Sequence, residues 1–467
     1  MLESIGDRGS RWEAVMEAWS KFRFWHIAGV LVPALMSVPL VAQSRPGAAS
    51  QPTFTKDVVP ILQRSCQDCH RPGSVAPMSL LSYEDVRPWA RSIKARVSAR
   101  EMPPWFIDRN IGIRKFKNDI SLSDAEIATI ANWVDGGMPR GNAADMPPPR
   151  QFPERTAWQT GKPDLVVEMR GSRQVKAVAP DWWGNVESDV AVTEDRWIKA
   201  VEVKPVAGYR MVHHAVASIV DPDLEEDEQN FNFSDRGALS EYSIGKNGDI
   251  YPDGTGILLK AGSKIRWNLH LHSVGEEATV KVAVAFQFYP KGYTPKYQMR
   301  AELLGGDTEQ QIDLPANTDN IRDDTYIGLD KPSVITAFEA HMHNRGKAQC
   351  MEAIYPPGFT KNPRAGGVKT EMLSCVDRFN FGWLRSYTYA DDVQPILPAG
   401  TILHVISWHN NSSSNKLNYD PTNWIGFGNR TIDDMSHIWL AYYNISEEEY
   451  KQRIAEREGQ ARKTNQP

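Results

Sequence analysis

Val334-Ile335-Thr336-Ala337-Phe338-Glu339-Ala340-His341-Met342-His343 alternates strictly. Val334, Thr336, Phe338, Ala340 and Met342 fall on one face of an extended chain, and Ile335, Ala337, Glu339, His341 and His343 on the other, because successive strand side chains point to opposite sides. The same period of two returns in Ile265, Trp267, Leu269 and Leu271 against Arg266, Asn268, His270 and His272. It returns again in Val280, Val282, Val284, Phe286 and Phe288, and a further strand is predicted from Thr401 to His409 beside the turn-rich Asn410–Asn415 stretch. No helix-length amphipathic segment separates these runs, so antiparallel β-sandwiches are expected rather than a parallel sheet. One sandwich is expected over residues 165–318 and a second over 319–450, divided near Pro315 to Thr325, with a polar C-terminal tail over 451–467.

Toward the N-terminus the period changes to that of a helix. Val58, Val59, Ile61 and Leu62 form one stripe, and Tyr83, Val86, Trp89, Ala90, Ile93 and Val97 a second. Ser123 and Glu126 have the spacing of a capping box ahead of Ile127, Ile130, Trp133 and Val134, and Gly136-Gly137 ends that helix. A small all-α domain over residues 54–147 is therefore expected, followed by a Pro/Gly-rich linker over 148–164.

The first helical stripe leads into Cys66-Gln67-Asp68-Cys69-His70. Two thiols three positions apart can form thioethers to the two vinyl groups of one haem, and the adjoining His places an imidazole under the iron. A redox dithiol fits less well, because no strand leads into the motif. A zinc knuckle would need two more ligands, and no Cys or His occurs between His70 and His213. The sixth iron ligand is expected to be Met102, in Glu101-Met102-Pro103-Pro104-Trp105, with Met78 the runner-up and Met138 a third candidate. Any of the three can equally fill a core. With CQDCH, the MPP run at 102–104 and the helix around Trp133-Val134, residues 54–147 resemble the class I c-type cytochromes, which implies one covalent haem c.

Ile27 to Ala42 is the longest apolar run, sixteen residues with two prolines and with Lys21 and Arg23 ahead of it. It is shorter than the roughly 20 residues that a spanning helix needs. It suits a secretory signal peptide over residues 1–42, with cleavage after Ala42, better than an uncleaved membrane tether or a buried helix. An exported, periplasmic protein is the expectation.

The 467 residues carry 53 basic and 58 acidic side chains, a net charge of -5. That excludes the strongly basic character of most nucleic-acid binders. Fifteen each of Trp, Tyr and Phe exclude wholesale disorder, and four Cys are too few for a disulfide-built scaffold.

Nine of the eleven His fall in the β-rich part. Alternation puts His270 with His272, and His341 with His343, on one face of a strand each. His213 and His214 are adjacent, so both can reach one ion only where the strand is irregular or where different ring nitrogens are used. No thiolate, H-E-x-x-H helix or interleaved carboxylate accompanies them, which disfavours zinc and non-haem iron. Imidazoles with a thioether, for which Met435 in Asp433-Asp434-Met435-Ser436-His437 is the candidate, suit copper.

Residues 165–450 resemble the copper type II, ascorbate-dependent monooxygenases, the family of the peptidylglycine and dopamine β-monooxygenases. Met211-Val212-His213-His214 and Leu269-His270-Leu271-His272 correspond to the three-His motifs, and His341-Met342-His343-Asn344-Arg345-Gly346-Lys347 with Asp434-Met435 to the His₂Met motifs. The resemblance implies two mononuclear coppers. His213, His214 and His272 would hold the electron-transfer copper. His341, His343 and Met435 would hold the catalytic one. It implies hydroxylation of a C–H bond of a small organic substrate with O₂. Because CQDCH precedes the copper motifs in one chain, electrons from an external donor or redox protein are expected to enter through the haem in place of ascorbate. Against the family pattern, only Cys350 and Cys375 remain to form a disulfide, or to stay reduced. His270 can substitute for His272 or line the cleft, and His404, His409 and His437 have no assigned role. A haem/copper oxidase or reductase, and a copper-binding or electron-carrying protein, are the competing readings.

Overall fold

The alternating runs lie on strands. In the first half β1 (Leu165–Glu168), β2 (Arg173–Val175), β3 (Trp182–Asp189), β4 (Arg196–Ala207), β5 (Val212–Val220) and β6 (Ala238–Ser243) are followed by β7 (Asp249–Ile250), β8 (Thr255–Leu259), β9 (Lys264–Leu271), β10 (Ala278–Phe288) and β11 (Tyr297–Leu304). In the second half come β12 (Ile321–Leu329), β13 (Ser333–His341), β14 (Gly346–Ile354), β15 (Thr370–Val376), β16 (Ser386–Thr388), β17 (Ile396–Leu397), β18 (Thr401–His409) and β19 (His437–Asn444). The computed structural model describes residues 51–152, 154, 157–224, 238–246, 248–305, 312–357, 359, 370–428 and 430–464. Residues 51–467 cluster as one compact unit. The Ile27–Ala42 run lies outside the described residues.

The strands make three sheets. A four-stranded sheet, β3-β9-β5-β6, serves the first half, and another, β12-β18-β14-β15, the second. The third has eleven strands and runs through both halves in the order β1-β10-β4-β8-β11-β19-β13-β16, with β2, β7 and β17 on its flanks. Trp267 and Leu269 of β9 pack with Val201 of β4 and Val284 and Phe286 of β10 in one core. Phe338 of β13 and Leu440 of β19 pack with Met351 of β14 and Leu403 of β18 in another. Each such side chain contributes roughly 1.5–3 kcal/mol by burial.

Two features correct the expected fold of an all-α cytochrome domain followed by two separate antiparallel sandwiches. The first is the join between β8 and β11, which is parallel through Tyr297↔Thr255 and Gln298↔Gly256. β11 then pairs antiparallel with β19 over six residues, from Met299↔Tyr443 to Leu304↔Ile438. A strand that precedes the expected division therefore belongs to the sheet of the second half.

The second correction concerns residues 54–147, which form no sizeable all-α domain. Four short helices occur there, α1 (Val59–Ser65), α2 (Tyr83–Val86), α3 (Ala90–Ser98) and α4 (Asp124–Asp135). They enclose a small core of Phe54, Leu62, Ile130 and Trp133. The capping box of Ser123 and Glu126 is formed. Between α3 and α4 the chain leaves this core and joins the second half. Ile107 bridges Val376, Phe116 bridges Tyr389, and Trp105 and Phe116 lie in the second core. A Cβ at Gly112, where φ is +64°, would stand 2.5 Å from the Leu373 carbonyl oxygen, so only glycine allows this approach. Apolar residues at 105–107 are better buried against sheet than among four short helices, and that contact breaks the helical run. The stretch read as a polar tail is also ordered differently, with helix α5 at Glu447–Thr464.

Cys350 and Cys375 form a disulfide across directly paired positions of β14 and β15. Among the described residues no helix is long and apolar enough to cross a membrane.

Candidate metal centres

The first cluster begins with a fault in a strand. The β5–β9 register shifts between Val212 and His214, so His213 occupies a bulge and both adjacent imidazoles can face one point. His214 pairs directly with His270. One ligand atom each of His213, His214 and His270 lies within 4.8 Å of the others. The Nδ1 atoms of His213 and His214 are 3.4 Å apart, and the His213 and His270 ring centroids 4.7 Å apart.

His270, not His272, completes this group. His270 is buried, its Nε2 is 2.9 Å from Asp181 Oδ2, and the Trp183 ring stacks on it at 4.5 Å. A carboxylate on one ring nitrogen fixes the tautomer and leaves the other to bind. His272 lies 5.8 Å from His213 between ring centroids, with its Nε2 3.0 Å from the Arg210 carbonyl, and falls outside the group of three whose ligand atoms lie within 4.8 Å of one another. Burial, with the neighbouring imidazoles adding to it, pushes the His213 pKa down to about 3. Burial lowers His214 and His270 as well. All three are neutral at pH 7, the form that binds a metal.

The second cluster sits where β13 ends. His341 and His343 have ring centroids 5.8 Å apart, and burial keeps both neutral. His341 Nδ1 is buried with no hydrogen-bond partner among the described residues. An orphaned imidazole nitrogen of this kind calls for an explanation, and a soft divalent or monovalent ion supplies one. His343 Nδ1 is 3.2 Å from the Asp433 carbonyl, which leaves its Nε2 for a ligand role.

Met435 is joined to this pair by a residue that sequence reasoning passed over. Asp434 is wholly buried. Its carboxylate accepts the backbone N–H of His343 at 2.9 Å, of Arg345 at 3.1 Å and of Met435 at 2.8 Å. His409 Nε2 lies 3.5 Å away. Burial alone would raise the Asp434 pKa, but the His409 imidazole and these donors hold it at about 2. Asp434 also lifts the His409 pKa against the effect of burial. His437 pairs with His341 across β13 and β19, and their rings stack at 6.3 Å.

The two clusters adjoin. Phe381, in the turn between β15 and β16, has its ring centroid 4.7 Å from that of His213 and 5.3 Å from that of His343. No periodic signal marks a lone aromatic in a turn. Four residues on, Arg385 donates to the Gly245 carbonyl at 2.5 Å and lies over the Trp105 ring. Arg385 is also close enough to Cys69 to lower its thiol pKa, although burial raises it overall.

At CQDCH, Cys66 ends α1 and its burial pushes the thiol up to about 12. His70 Nδ1 is 3.3 Å from the Met78 carbonyl, an arrangement that leaves Nε2 for an axial bond. Met78 and Met138 pack on the core that Cys66 joins. Met102 instead lines a cavity of about 170 Å³ with Val97, Trp105 and Arg378, and no CQDCH residue lines it. The contact of Met78 with His70 is through its backbone carbonyl, so it does not decide between the thioethers of Met78 and Met102.

His404 has a structural role on the outer sheet. Its Nε2 is 2.6 Å from Asp324 and its Nδ1 3.1 Å from Glu352, so each nitrogen serves a different carboxylate.

No family model matches this chain, and no curated protein matches it. Among solved structures, one of infectious bursal disease virus strain Gx is 9% identical, covering 64% of this chain and 80% of that one at a TM-score of 0.17. The VP2 subviral particle of the same virus is 8% identical, covering 63% and 75% at a TM-score of 0.18. Likeness at that level carries no argument about fold or function.

Proposed function

We propose that this chain is an exported copper-dependent monooxygenase that hydroxylates a C–H bond of a small organic substrate with O₂. The observation that carries the reading is the set of neutral, buried or half-buried imidazoles in two adjoining groups, one with the orphaned Nδ1 of His341. His213, His214 and His270 would hold one copper, and His341, His343 and Met435 the other. Cys66 and Cys69 would carry a c-type haem with His70 beneath the iron. These groups would supply O₂ binding and one-electron storage, and the reaction takes two electrons from a donor beyond the two from substrate.

The protein's own contribution is placement. Asp434 ties the backbone of His343 to that of Met435, so the donors of the second centre move as one piece. The turn from Phe381 to Arg385 touches both His clusters at one end and the surroundings of Cys69 at the other, which favours electron entry from the haem side. The Cys350–Cys375 disulfide agrees with export.

The test uses copper-loaded protein, a reductant and mass-labelled O₂ against a panel of small organic compounds. Label in an organic product supports the reading. Label in water or peroxide alone would make the chain an oxidase, and copper binding without O₂ consumption a carrier. Copper content and the electron paramagnetic resonance spectrum of His341→Ala and Met435→Ala report the second centre independently of turnover. Each variant should lose one of two coppers.

A further inference from the structure

A cavity of about 750 Å³ opens beside the second cluster. Small-molecule sites commonly have roughly 300–1,000 Å³ and a mainly apolar lining with a few fixed polar groups. Here Tyr419, Trp424, Phe427 and Ile432 line the space, and Tyr419 and Trp424 are 71% and 60% exposed. Aromatic surface concentrated in this way on a soluble face marks a site of interaction.

The wall is held firmly. Asn411, wholly buried, donates through Nδ2 to the carbonyls of Leu314, Pro315 and Asn423 at 2.9–3.0 Å. Its Oδ1 accepts from Arg345 Nε at 2.7 Å and Asn418 Nδ2 at 3.0 Å. Trp424 Nε1 donates to Asp313. The aromatic rings are thus presented on a fixed frame, and binding would need little ordering.

The charged groups in the wall already have partners, and the Arg345 guanidinium donates to Asn411 and to the Ile432 carbonyl. Arg430 pairs with Asp433 at 2.7 Å, Asp420 accepts from Thr422 and Asn423, and the backbone N–H of the buried Arg345 goes to Asp434. Two arginines face two aspartates, leaving no net charge for a ligand to complement. The cavity also abuts the candidate centre, since the Phe427 ring lies 5.8 Å from that of His437 and the Asp433 carbonyl holds His343.

We propose that this cavity binds an uncharged aromatic molecule of two or three fused rings. As the seat of the organic substrate this rests on the monooxygenase reading; as a binding site it stands alone. Calorimetric titration of the full metal-free chain with 2-naphthol tests it, with 2-naphthoate and 2-naphthylmethylammonium as charged counterparts. Saturable one-to-one binding of 2-naphthol is expected, weakened about tenfold in Trp424→Ala. Tyr419→Ala, at the more exposed of the two positions, should act in the same direction and leave the thermal midpoint unchanged. The absence of saturable binding overturns the proposal. So does equal affinity for either charged counterpart, or indifference to both substitutions. Copper titrated into the same samples reports the His clusters separately. Binding of 2-naphthol without copper uptake would keep this site and remove the proposed function, and copper uptake without 2-naphthol binding would do the reverse.

Discussion

His213 and His343 press on the same ring. Phe381 lies 4.7 Å from the first and 5.3 Å from the second between centroids, so histidines 130 residues apart in sequence share one apolar neighbour, itself only 6% exposed. Removing it leaves a void where the two clusters meet. Phe381→Ala should destabilise the protein by about 3 kcal/mol, and Phe381→Leu by clearly less. Urea unfolding of the metal-free proteins measures this. Equal midpoints for wild type and Phe381→Ala would show that the ring is not packed as described.

The ligand set of the first cluster is separable by substitution. His270→Ala should weaken copper binding there on the order of 100-fold, while His272→Ala should change it by no more than a few-fold. Competitive titration against a copper chelator gives both numbers. A reversed order would return His272 to the ligand set.

A buried cation pairs with Asp249 near the buried acids Glu241 and Glu339, where the two halves meet. Lys246 Nζ is 2.7 Å from Asp249, and Glu241 and Glu339 are near enough to raise its pKa further, against the effect of burial. Lys246→Met should cost about 3–5 kcal/mol, because it leaves buried acid groups without their counter-charge. The double replacement Lys246→Met with Glu339→Gln should recover part of that loss, as a double-mutant cycle in urea would read.

Acid should unfold the metal-free chain in two stages. His213 titrates at about 3 when folded against 6.5 ordinarily, so below pH 6.5 the unfolded chain takes up a proton that the folded one refuses. Stability therefore falls as pH drops from 6.5 toward 3. Asp434 titrates at about 2 against 3.8, and its contribution, full above 3.8, is lost as pH falls toward 2. Asp434→Asn should lower stability at pH 7 and flatten the lower stage of a midpoint-against-pH curve, and it also removes the support that Asp434 gives to the protonated His409. A curve that is level from pH 7 to pH 4 would contradict the neutral, buried state of the imidazoles.

Strands were legible because the alternation of residue types along them is local. The runs at 265–271, 280–288 and 334–340 lie on β9, β10 and β13. The paired histidines were legible for the same reason, since His341 and His343 needed only their spacing. What decides the rest is not local. The bulge at His213 depends on the register of β5 against β9, and without it His213 and His214 would diverge. That His270 rather than His272 comes within 4.8 Å of His213 and His214 follows from the direct pairing of His214 with His270 across β5 and β9. Asp434 sat inside a motif read for its methionine, and its role lies in three backbone donors that no side-chain pattern encodes. The helical segment misled because three amphipathic stripes predict a domain, whereas Trp105 and Phe116 find a better home among the rings of Tyr387 and Phe338.

The parallel seam between Thr255-Gly256 and Tyr297-Gln298 has a mechanical consequence. Two bodies linked only by a flexible tether can swing apart to admit a reactant, but bodies stitched through a common hydrogen-bonded ladder flex as a single plate. Under the proposed function, any working cycle would then proceed without a swing of one lobe against the other.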